Sequence, residues 1–442
     1  IFTGTTPSVH GIIGNNWYDY KTKQPVYCAG DWNSQTICLC KKPHLVNEAD
    51  AGKKSPSLLL STTIGDELKL KDSLSKVYSL SLKDRAAVLS GGHMADGAFW
   101  INSKAEWITS DHYCAKMPKW IDLFHEENPI VNYMNGFWNS TNNSIDLAES
   151  LKTFGPSYIT STPKGNDLIL AFTKAIIEKE KLGDDNHTDL LSISFSSTDY
   201  IGHKYGPDSH EILSAFQLLD QNIADLIMFL EKRIGKDNLL IFLTADHGVA
   251  SVPTTLKKFK IPSGNANVMT MKNKLDSLMK VDFGNGDIIW KYSNMQFYLD
   301  LDLIDSINLN LLQVKSSILS HLNQFDFIDQ VYDFKNITTS QLADEKTTCL
   351  LKGVYPNRSG QIGFTLKPGW IERVSLKGTG HGTHYRYDTH VPLIFYGNNI
   401  SPALCDRLVS ISDIAPTISL FMQTSFPSGS TGNPIFELTE TQ

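Results

Sequence analysis

Residues 190–199 read LLSISFSSTD, and residues 239–248 read LLIFLTADHG. Each stretch begins with a short apolar run and ends in polar residues that include an aspartate. Continuous apolar runs of this length predict buried strands in a sheet that is covered on both faces. Between them, residues 210–233 carry apolar side chains at helical spacing, and Gly235 follows as a typical helix stop. Strand, helix and strand in this order predict an α/β fold.

Two further segments extend this alternation. Residues 391–396 form a third apolar run, and residues 167–181 carry a second helical pattern. Residues 412–422 are expected to form a capped final helix. We therefore predict an α/β/α sandwich with a mostly parallel central sheet, and with site residues at the carboxyl ends of its strands.

Two regions lack such clear periodicity. Residues 17–160 are rich in Trp, Tyr, Asn and Ser, and residues 255–378 mix strand-like and helical pieces with loops. No internal repeat or low-complexity linker separates them from the rest of the chain. We expect both regions to be insertions or caps on one core, so that residues 1–442 form a single domain.

The composition is that of a folded globular protein, with 41% hydrophobic and 10% aromatic residues. The formal net charge of -7 gives no support to a nucleic-acid partner, because phosphate backbones favour basic surfaces. No stretch approaches the ~20 apolar residues of a membrane span, so none is expected. The six cysteines lack zinc-ligand spacing, which leaves disulfides and buried free thiols as alternatives.

Three short segments carry candidate metal ligands. Asp199 and His203 lie four residues apart, Asp246 and His247 are adjacent after an apolar run, and His381 lies between two glycines. Taken singly, these segments have ordinary interpretations as an exposed pair, a helix cap beside a surface histidine, and a flexible loop. Together they form an oxygen and nitrogen ligand set suited to zinc. Two metal ions ~4 Å apart would stabilise both the attacking and the leaving oxygen of a phosphoryl displacement.

These segments resemble the alkaline phosphatase superfamily. The matching runs are STDYIGHKYGPDS (197–209), TADHG (244–248), GTGHGTHYRYDTHVPLIFYG (378–397) and SDIAPT (412–417). They resemble most closely the phosphate-irrepressible alkaline phosphatases, which are relatives of the nucleotide pyrophosphatase/phosphodiesterases. The resemblance covers essentially the whole chain, since IFTGTTPSVHGIIGNNWYD (1–19) is similar to the segment just after the family's nucleophile.

The resemblance implies a role for eight residues. Two zinc ions are expected, one held by Asp199, His203 and His381, and the other by a set that includes Asp246 and His247. Asn15 resembles an asparagine whose amide donates to a phosphoryl oxygen. Lys83 and Arg85, in SLKDRAAVLSGGH, resemble the Lys-x-Arg pair by which the monoesterase branch holds phosphate. Without the resemblance, Lys83-Asp84-Arg85 would be interpreted as a solvated charge run.

The family's nucleophile is a threonine in a T-x-x-G-H-type segment, and the resemblance places it before Ile1. An aspartate ligand of the second zinc is expected further upstream, on the first strand. Thr3, Thr5 and Thr6 lie after the expected position and are rejected as substitutes. We therefore expect an alkaline-phosphatase-like catalytic domain without its first strand and nucleophile segment, and expect these 442 residues alone to be inactive.

The predicted function is that of a two-zinc alkaline phosphatase, which hydrolyses small phosphate monoesters through a covalent phospho-threonine. A periplasmic or secreted location is implied, and the oligomeric state is left open, a monomer included. A phosphodiesterase or nucleotide pyrophosphatase would share the five metal ligands and Asn15, but the Lys-x-Arg pair favours the monoesterase. A sulfatase would carry Cys or Ser in C/S-x-P-x-R, where none of the six cysteines lies. A non-catalytic binding protein or an inactive fragment is the remaining alternative.

Overall fold

The computed structural model of the protein describes residues 1–38, 50–397 and 400–438. The strands, in chain order, are β1 (Asn16–Tyr18), β2 (Pro25–Tyr27), β3 (Thr36–Ile37), β4 (Val77–Ser81), β5 (Gly97–Ile101), β6 (Trp107–Ser110), β7 (Phe137–Ser140), β8 (Asn143–Asp146), β9 (Leu190–Ser194), β10 (Leu240–Thr244), β11 (Gly264–Ala266), β12 (Ile289–Ser293), β13 (Gln296–Leu299), β14 (Ile328–Asp333), β15 (Ile362–Leu366), β16 (Trp370–Glu372) and β17 (Leu393–Gly397).

The helices, in chain order, are α1 (Pro7–His10), α2 (Ile64–Lys71), α3 (Asp84–Gly91), α4 (Lys119–Glu127), α5 (Ile130–Tyr133), α6 (Leu147–Phe154), α7 (Lys164–Lys179), α8 (Ser197–Tyr205), α9 (His210–Ile234), α10 (Pro253–Lys258), α11 (Val268–Phe283), α12 (Leu301–Ser306), α13 (Leu311–Leu322), α14 (Thr339–Leu342), α15 (Glu345–Leu351), α16 (Arg386–Thr389) and α17 (Ile414–Met422). The predicted final helix is α17, and a capping box of Ser410 and Asp413 precedes it.

The central sheet contains five strands in the order β3-β6-β5-β4-β9. β4 pairs in parallel with β5 and β9, whereas β6 pairs antiparallel with β5 and β3. The α/β fold is confirmed, but this sheet is mixed and not mostly parallel. The reason is local, because residues 102–106 join β5 to β6 and a connection this short can only link antiparallel neighbours.

Helices cover both faces of the central sheet, as a sandwich requires. On one face, Phe99 of β5 packs edge-on against Phe172 of α7, with ring centroids 5.6 Å apart. On the other face, Trp100 of β5 packs in a cluster with Val88 of α3. Neighbouring side chains of a strand point to opposite faces, so Phe99 packs against the helix on one side of the sheet and Trp100 against the helix on the other.

The three apolar runs form β9, β10 and β17, as predicted. β10 and β17 pair antiparallel, with Thr244 opposite Leu393. The side chains of β10 are half-buried instead of buried, and within the described residues β9 and β10 each pair with a strand on one side only. The antiparallel pairing positions the site, since it places the carboxyl end of β10 beside the loop that leads into β17.

Residues 17–160 are only partly an insertion, because they contribute β3, β4, β5 and β6 to the central sheet. β4 reads VYSLS and is buried along its whole length. Its serines satisfy their hydroxyls internally, and Ser79 Oγ donates to the carbonyl of Ala87 at 2.7 Å. Because these buried serines interrupt the apolar pattern, a search for continuous apolar runs does not detect this strand.

Residues 255–378 carry a second sheet, with strand order β12-β13-β15-β14. The sheet packs with α11 and α13 around its own hydrophobic cluster, which includes Leu275, Phe297, Ile318 and Phe364. We refer to this part as the second layer. Within the described residues, no helix combines the length and the apolar content needed to cross a membrane.

Cys28, Cys114, Cys349 and Cys405 are free thiols, and Cys40 lies outside the described part of the chain.

A buried carboxylate, Asp66, holds the start of α2 to the turn after α3. It accepts hydrogen bonds from the backbone N–H groups of Thr63, His93 and Met94 at 2.7–2.8 Å, and its side chain is 3.1 Å from His93 Nδ1. Burial acts to raise the pKa of Asp66, but these hydrogen bonds outweigh burial and lower it. Its contribution to stability is therefore complete above the ordinary carboxyl pKa and is lost as the pH falls through the lowered value.

We expect Asp66→Ala to lower the free energy of unfolding by about 3–5 kcal/mol, because the substitution leaves buried donors without an acceptor. Urea unfolding at neutral pH measures this loss. The matched control is Asp72→Ala, which removes another Asp–His pair at a more exposed position and should change stability little. Similar losses in the two variants would contradict the role given to Asp66.

Candidate metal centre and phosphate-binding site

α8 follows β9 almost directly and carries the first two candidate ligands. Asp199 lies in its first turn and His203 in its last turn. Residues four apart share one face of a helix, and the Nε2 atom of His203 lies 3.4 Å from Oδ1 of Asp199. The sequence spacing thus produces a carboxylate–imidazole pair at the carboxyl end of β9, a strand of the central sheet.

His247 and His381 approach the same carboxylate from two other segments. The Nε2 atom of His247, just after β10, is 3.9 Å from Asp199 Oδ1, and that of His381, in the loop before β17, is 3.7 Å from it. The rings of His247 and His381 stack with centroids 3.4 Å apart. Three imidazole nitrogens therefore converge on one carboxylate oxygen.

Asp246 lies at the edge of this cluster. Its side chain is 80% exposed, and Oδ2 is 3.4 Å from Nε2 of His247. Asp199, His247 and His381 form a group whose ligand atoms all lie within 4.8 Å of one another. This group includes residues that the resemblance divides between two ions, so the division between the ions stays a prediction.

The hydrogen bonds of His203 and His247 engage the Nδ1 atoms and leave the Nε2 atoms available to a metal. His203 Nδ1 is 2.9 Å from the carbonyl oxygen of Thr379, and His247 Nδ1 is 2.8 Å from that of Gly248. A neutral imidazole that donates Nδ1–H to a carbonyl keeps a lone pair on Nε2. Imidazole Nε2 atoms with a carboxylate oxygen form a donor set that fits zinc.

Electrostatics favours the ligand forms of these side chains. Burial, His247 and His203 together lower the pKa of His381 to about 4, so its imidazole is neutral at pH 7. Burial acts to raise the pKa of Asp199, but the charge of Lys83 and its hydrogen bond to the carboxylate act against burial, and the pKa is lowered overall. The carboxylate is therefore ionised at neutral pH, as a metal ligand must be.

Lys83 lies directly against the cluster. It precedes α3 at the carboxyl end of β4, and its Nζ forms an ion pair with Oδ2 of Asp199. The Lys83 side chain is only 13% exposed, and its ammonium lies 4.7 Å from the centre of the Tyr200 ring. A solvated charge run would leave this side chain in water, so that interpretation does not describe Lys83.

Arg85 occupies the first turn of α3, two residues beyond Lys83. Its backbone N–H donates to Asp84 Oδ1 at 2.7 Å, and the hydroxyl of Tyr27 donates to the same oxygen at 2.5 Å. Burial acts to lower the pKa of Arg85, but Tyr27 and Asp84 outweigh burial and raise it. The guanidinium is thus a permanent cation, with Tyr27 and Asp84 beside it.

Asn15 lies in an exposed turn before β1, and its carbonyl accepts a hydrogen bond from the N–H of Cys28 at 2.9 Å. Burial raises the pKa of the Cys28 thiol to about 12, and Arg85 is close enough to oppose this rise. Asn15 is therefore connected through Cys28 to the neighbourhood of Arg85. In the described part of the chain, no hydrogen bond joins the Asn15 side chain to the histidines.

A cavity of about 410 Å³ borders Tyr200 and Leu82, the residue that precedes Lys83. Leu82, Phe154, Tyr158 and Tyr200 are among the residues that line it. The rings of Phe154 and Tyr158 stack with centroids 4.7 Å apart. An apolar group attached to a phosphate near Lys83 would find an aromatic surface here.

Four residues that shape this site were not identified from the sequence. Tyr200 and Thr379 lie within the matching motifs, but neither is a candidate metal ligand. Their positions in the sequence therefore did not indicate a role in the site. Tyr27 and Arg373 lie outside these motifs and reach the site only through the fold, Arg373 by donating from Nη1 to the carbonyl of Thr379 at 2.7 Å. His93 matches no ligand position of the resemblance, and its Nδ1 lies 3.1 Å from Oδ2 of Asp66.

Residues 1–386 match the family model described as type I phosphodiesterase / nucleotide pyrophosphatase. The chain belongs to this family. Two similar proteins are alkaline phosphatases, PhoV of Synechococcus elongatus and PafA of Elizabethkingia meningoseptica, and each is 35% identical to the chain. Each match spans 99% of this chain, with 82% of PhoV and 84% of PafA covered.

Solved structures agree with this relationship. The crystal structure of wild-type PafA superimposes with a TM-score of 0.90 at 34% identity, covering 99% of this chain and 88% of that chain. A PafA variant with one Thr replaced by Ser, and one Asn, one Lys and one Arg replaced by Ala, gives the same score at 33% identity, covering 99% and 87%. The replaced Lys and Arg are two positions apart, and the Thr precedes the Asn.

Proposed function

We propose that the protein is an alkaline phosphatase that hydrolyses small phosphate monoesters with the aid of zinc. The observation that carries the proposal is the convergence of three imidazole nitrogens on Asp199, whose other oxygen is paired with Lys83. The identity of 35% with two alkaline phosphatases supports the same activity. The resemblance further supports a periplasmic or secreted location.

Two zinc ions would be held by Asp199, His203, Asp246, His247 and His381. When bound, such ions lower the pKa of hydroxyl groups and stabilise charge on the attacking and leaving oxygens. The chain itself keeps His381 neutral by burial and keeps Asp199 ionised beside Lys83. It therefore presents ligands that need not lose a proton before they bind a metal at neutral pH.

Lys83, Arg85 and Asn15 would bind the non-bridging oxygens of the phosphate. The Lys83 ammonium beside Asp199 and the Arg85 guanidinium two residues further along the chain would offer charge-assisted hydrogen bonds, and the guanidinium can bind two oxygens at once. Such donors stabilise the charge that is held on phosphate during transfer. The cavity beside Tyr200 would take the group that leaves.

The nucleophile we propose is a threonine encoded before Ile1. In the PafA variant, the threonine precedes the asparagine by more positions than this chain has before Asn15. The Lys-x-Arg spacing of that variant equals the spacing of Lys83 and Arg85. Attack by the threonine hydroxyl on phosphorus would form a phospho-threonine and release the alcohol, and water would then release phosphate.

A phosphodiesterase is the second candidate, because the matching family model is named for that activity. A diester lacks one of the charged oxygens of a monoester, so it has less use for two cations. The Lys-x-Arg pair, in which Lys83 lies beside Asp199, therefore favours the monoesterase.

The test of the proposal is turnover of an aryl phosphate by protein that includes any residues the gene encodes before Ile1. We expect hydrolysis that a chelator abolishes and added zinc restores. A purified protein without chelator-sensitive turnover of the monoester would contradict the proposal. Faster hydrolysis of the matching methyl diester would favour the phosphodiesterase.

The same protein should contain two equivalents of zinc, and His381→Ala should reduce this to about one. An open zinc site needs three protein ligands, and the substitution leaves one of the two predicted sites with two. Metal analysis after dialysis measures the ratio. The control is His390→Ala, which removes a histidine from the same loop that matches no ligand position. Two full equivalents in His381→Ala would contradict the assignment of His381.

A further inference from the structure

Thr379 lies two residues before His381 and is completely buried. Its N–H donates to the carbonyl of His203 at 3.0 Å, and its hydroxyl donates to the carbonyl of Ala250 at 2.6 Å. Its own carbonyl accepts from His203 Nδ1 at 2.9 Å and from Arg373 Nη1 at 2.7 Å. Every polar group of Thr379 thus has a partner in another segment.

These partners belong to the segments that supply the three histidines. His203 lies in the last turn of α8, Ala250 lies three residues after His247, and Thr379 itself belongs to the loop of His381. A further hydrogen bond, from the N–H of Ala250 to the carbonyl of Gly380 at 3.2 Å, strengthens the same junction. One threonine therefore joins three chain segments that are far apart in sequence.

The contact between Thr379 and His203 also selects the nitrogen that faces the cluster. The ring is held by its Nδ1 atom, so Nε2 points to Asp199 Oδ1 at 3.4 Å. Gly378 makes this approach feasible, since its φ is +81° and a Cβ there would lie 2.3 Å from the carbonyl oxygen of His203. A hydrogen-bonded carbonyl behind an imidazole is the usual support of a metal-binding histidine.

Arg373, in the second layer, stabilises the junction formed by Thr379, His203 and Ala250. It follows β16, and its guanidinium donates to the carbonyl that also accepts from His203. In the described part of the chain, no carboxylate forms an ion pair with Arg373, so no anion competes with that carbonyl for its guanidinium. The side chain thus connects the second layer to the metal-ligand loop.

We propose that Thr379 is a positioning residue that fixes His203, His247 and His381 for metal binding, and that Arg373 holds Thr379 in place. This inference rests on the proposed function, because it assumes that these histidines bind zinc. Thr379 touches no reacting atom and acts only through the histidines.

The test is zinc affinity, measured by competition with a chromophoric chelator on this chain. Thr379→Val keeps the shape of the side chain but removes the hydroxyl, and we expect zinc to bind roughly 10–100-fold more weakly, the usual cost of losing a supporting hydrogen bond around a metal. Thr379→Ser restores the hydroxyl and should bind zinc nearly as the original chain does. Arg373→Gln, which removes the guanidinium from the same carbonyl, should also bind zinc more weakly.

The matched control is Thr109→Val, which removes a buried hydroxyl that donates to the carbonyl of Ala98 at 2.7 Å in the central sheet. We expect it to leave zinc affinity unchanged. Unaltered affinity in both Thr379→Val and Arg373→Gln, or equal loss in Thr109→Val, would overturn the inference. If Thr379→Val does not fold, Arg373→Gln alone decides. A chain with no affinity for zinc before any substitution would instead overturn the proposed function.

Discussion

Asp199→Asn is expected to weaken zinc binding by more than ~100-fold, because loss of even a supporting group around a metal costs 10–100-fold. Oδ1 of Asp199 lies within 3.4–3.9 Å of three imidazole nitrogens, and Oδ2 pairs with Lys83. Asparagine keeps the shape of the side chain but loses the charge that a divalent ion requires. Turnover of an aryl phosphate at limiting zinc should fall at least as far.

The matched control is Asp246→Asn, which makes the same chemical change at the edge of the cluster. Asp246 is 80% exposed, and its Oδ2 lies 3.4 Å from Nε2 of His247. We therefore expect a smaller loss of zinc affinity, measured in the same chelator competition. Equal losses of zinc affinity in the two variants would show that Asp199 contributes no more to zinc binding than Asp246 does. Full affinity in Asp199→Asn would remove it from the ligand set.

The double variant Lys83→Ala, Arg85→Ala is expected to lose about two to four powers of ten in kcat/KM for a phosphate monoester. Each charge-assisted hydrogen bond is worth ~1.5–3 kcal/mol, and about 1.4 kcal/mol corresponds to a factor of ten. A monoester dianion carries one more charged oxygen than a diester. The kcat/KM for the matching methyl diester should therefore change much less. The ratio of kcat/KM for the monoester to that for the diester should then fall strongly.

Two measurements separate substrate binding from an effect on the metal. Because Lys83 also pairs with Asp199, kinetics should be recorded at saturating zinc, with the metal content of each variant determined. The control is Lys272→Ala, Lys274→Ala, which removes two cations at the same spacing from α11 in the second layer. Equal losses on monoester and diester would mean that Lys83 and Arg85 are structural, and would favour the phosphodiesterase.

The sequence by itself determined the parts of this protein that depend on neighbouring residues. β9, β10 and β17 are apolar runs, and the long helix α9 has a regular apolar stripe, so local patterns were sufficient to predict them. Asp199 and His203 meet because residues four apart on a helix share a face. The motifs around the histidines are also specific enough to indicate the family.

Only the tertiary structure decided how these parts meet. β4 is buried although two of its five residues are serines, because its partners in the sheet and the hydrogen bonds of those serines compensate. β17 runs antiparallel to β10, and this direction brings the loop of His381 to His247. The roles of Lys83 and Thr379 depend on contacts across 116 and 176 residues, respectively. The first contact arises because β4 and β9 are neighbours in the central sheet, and the second because the loop of His381 folds against α8. Neither arrangement leaves a periodic pattern in the local sequence.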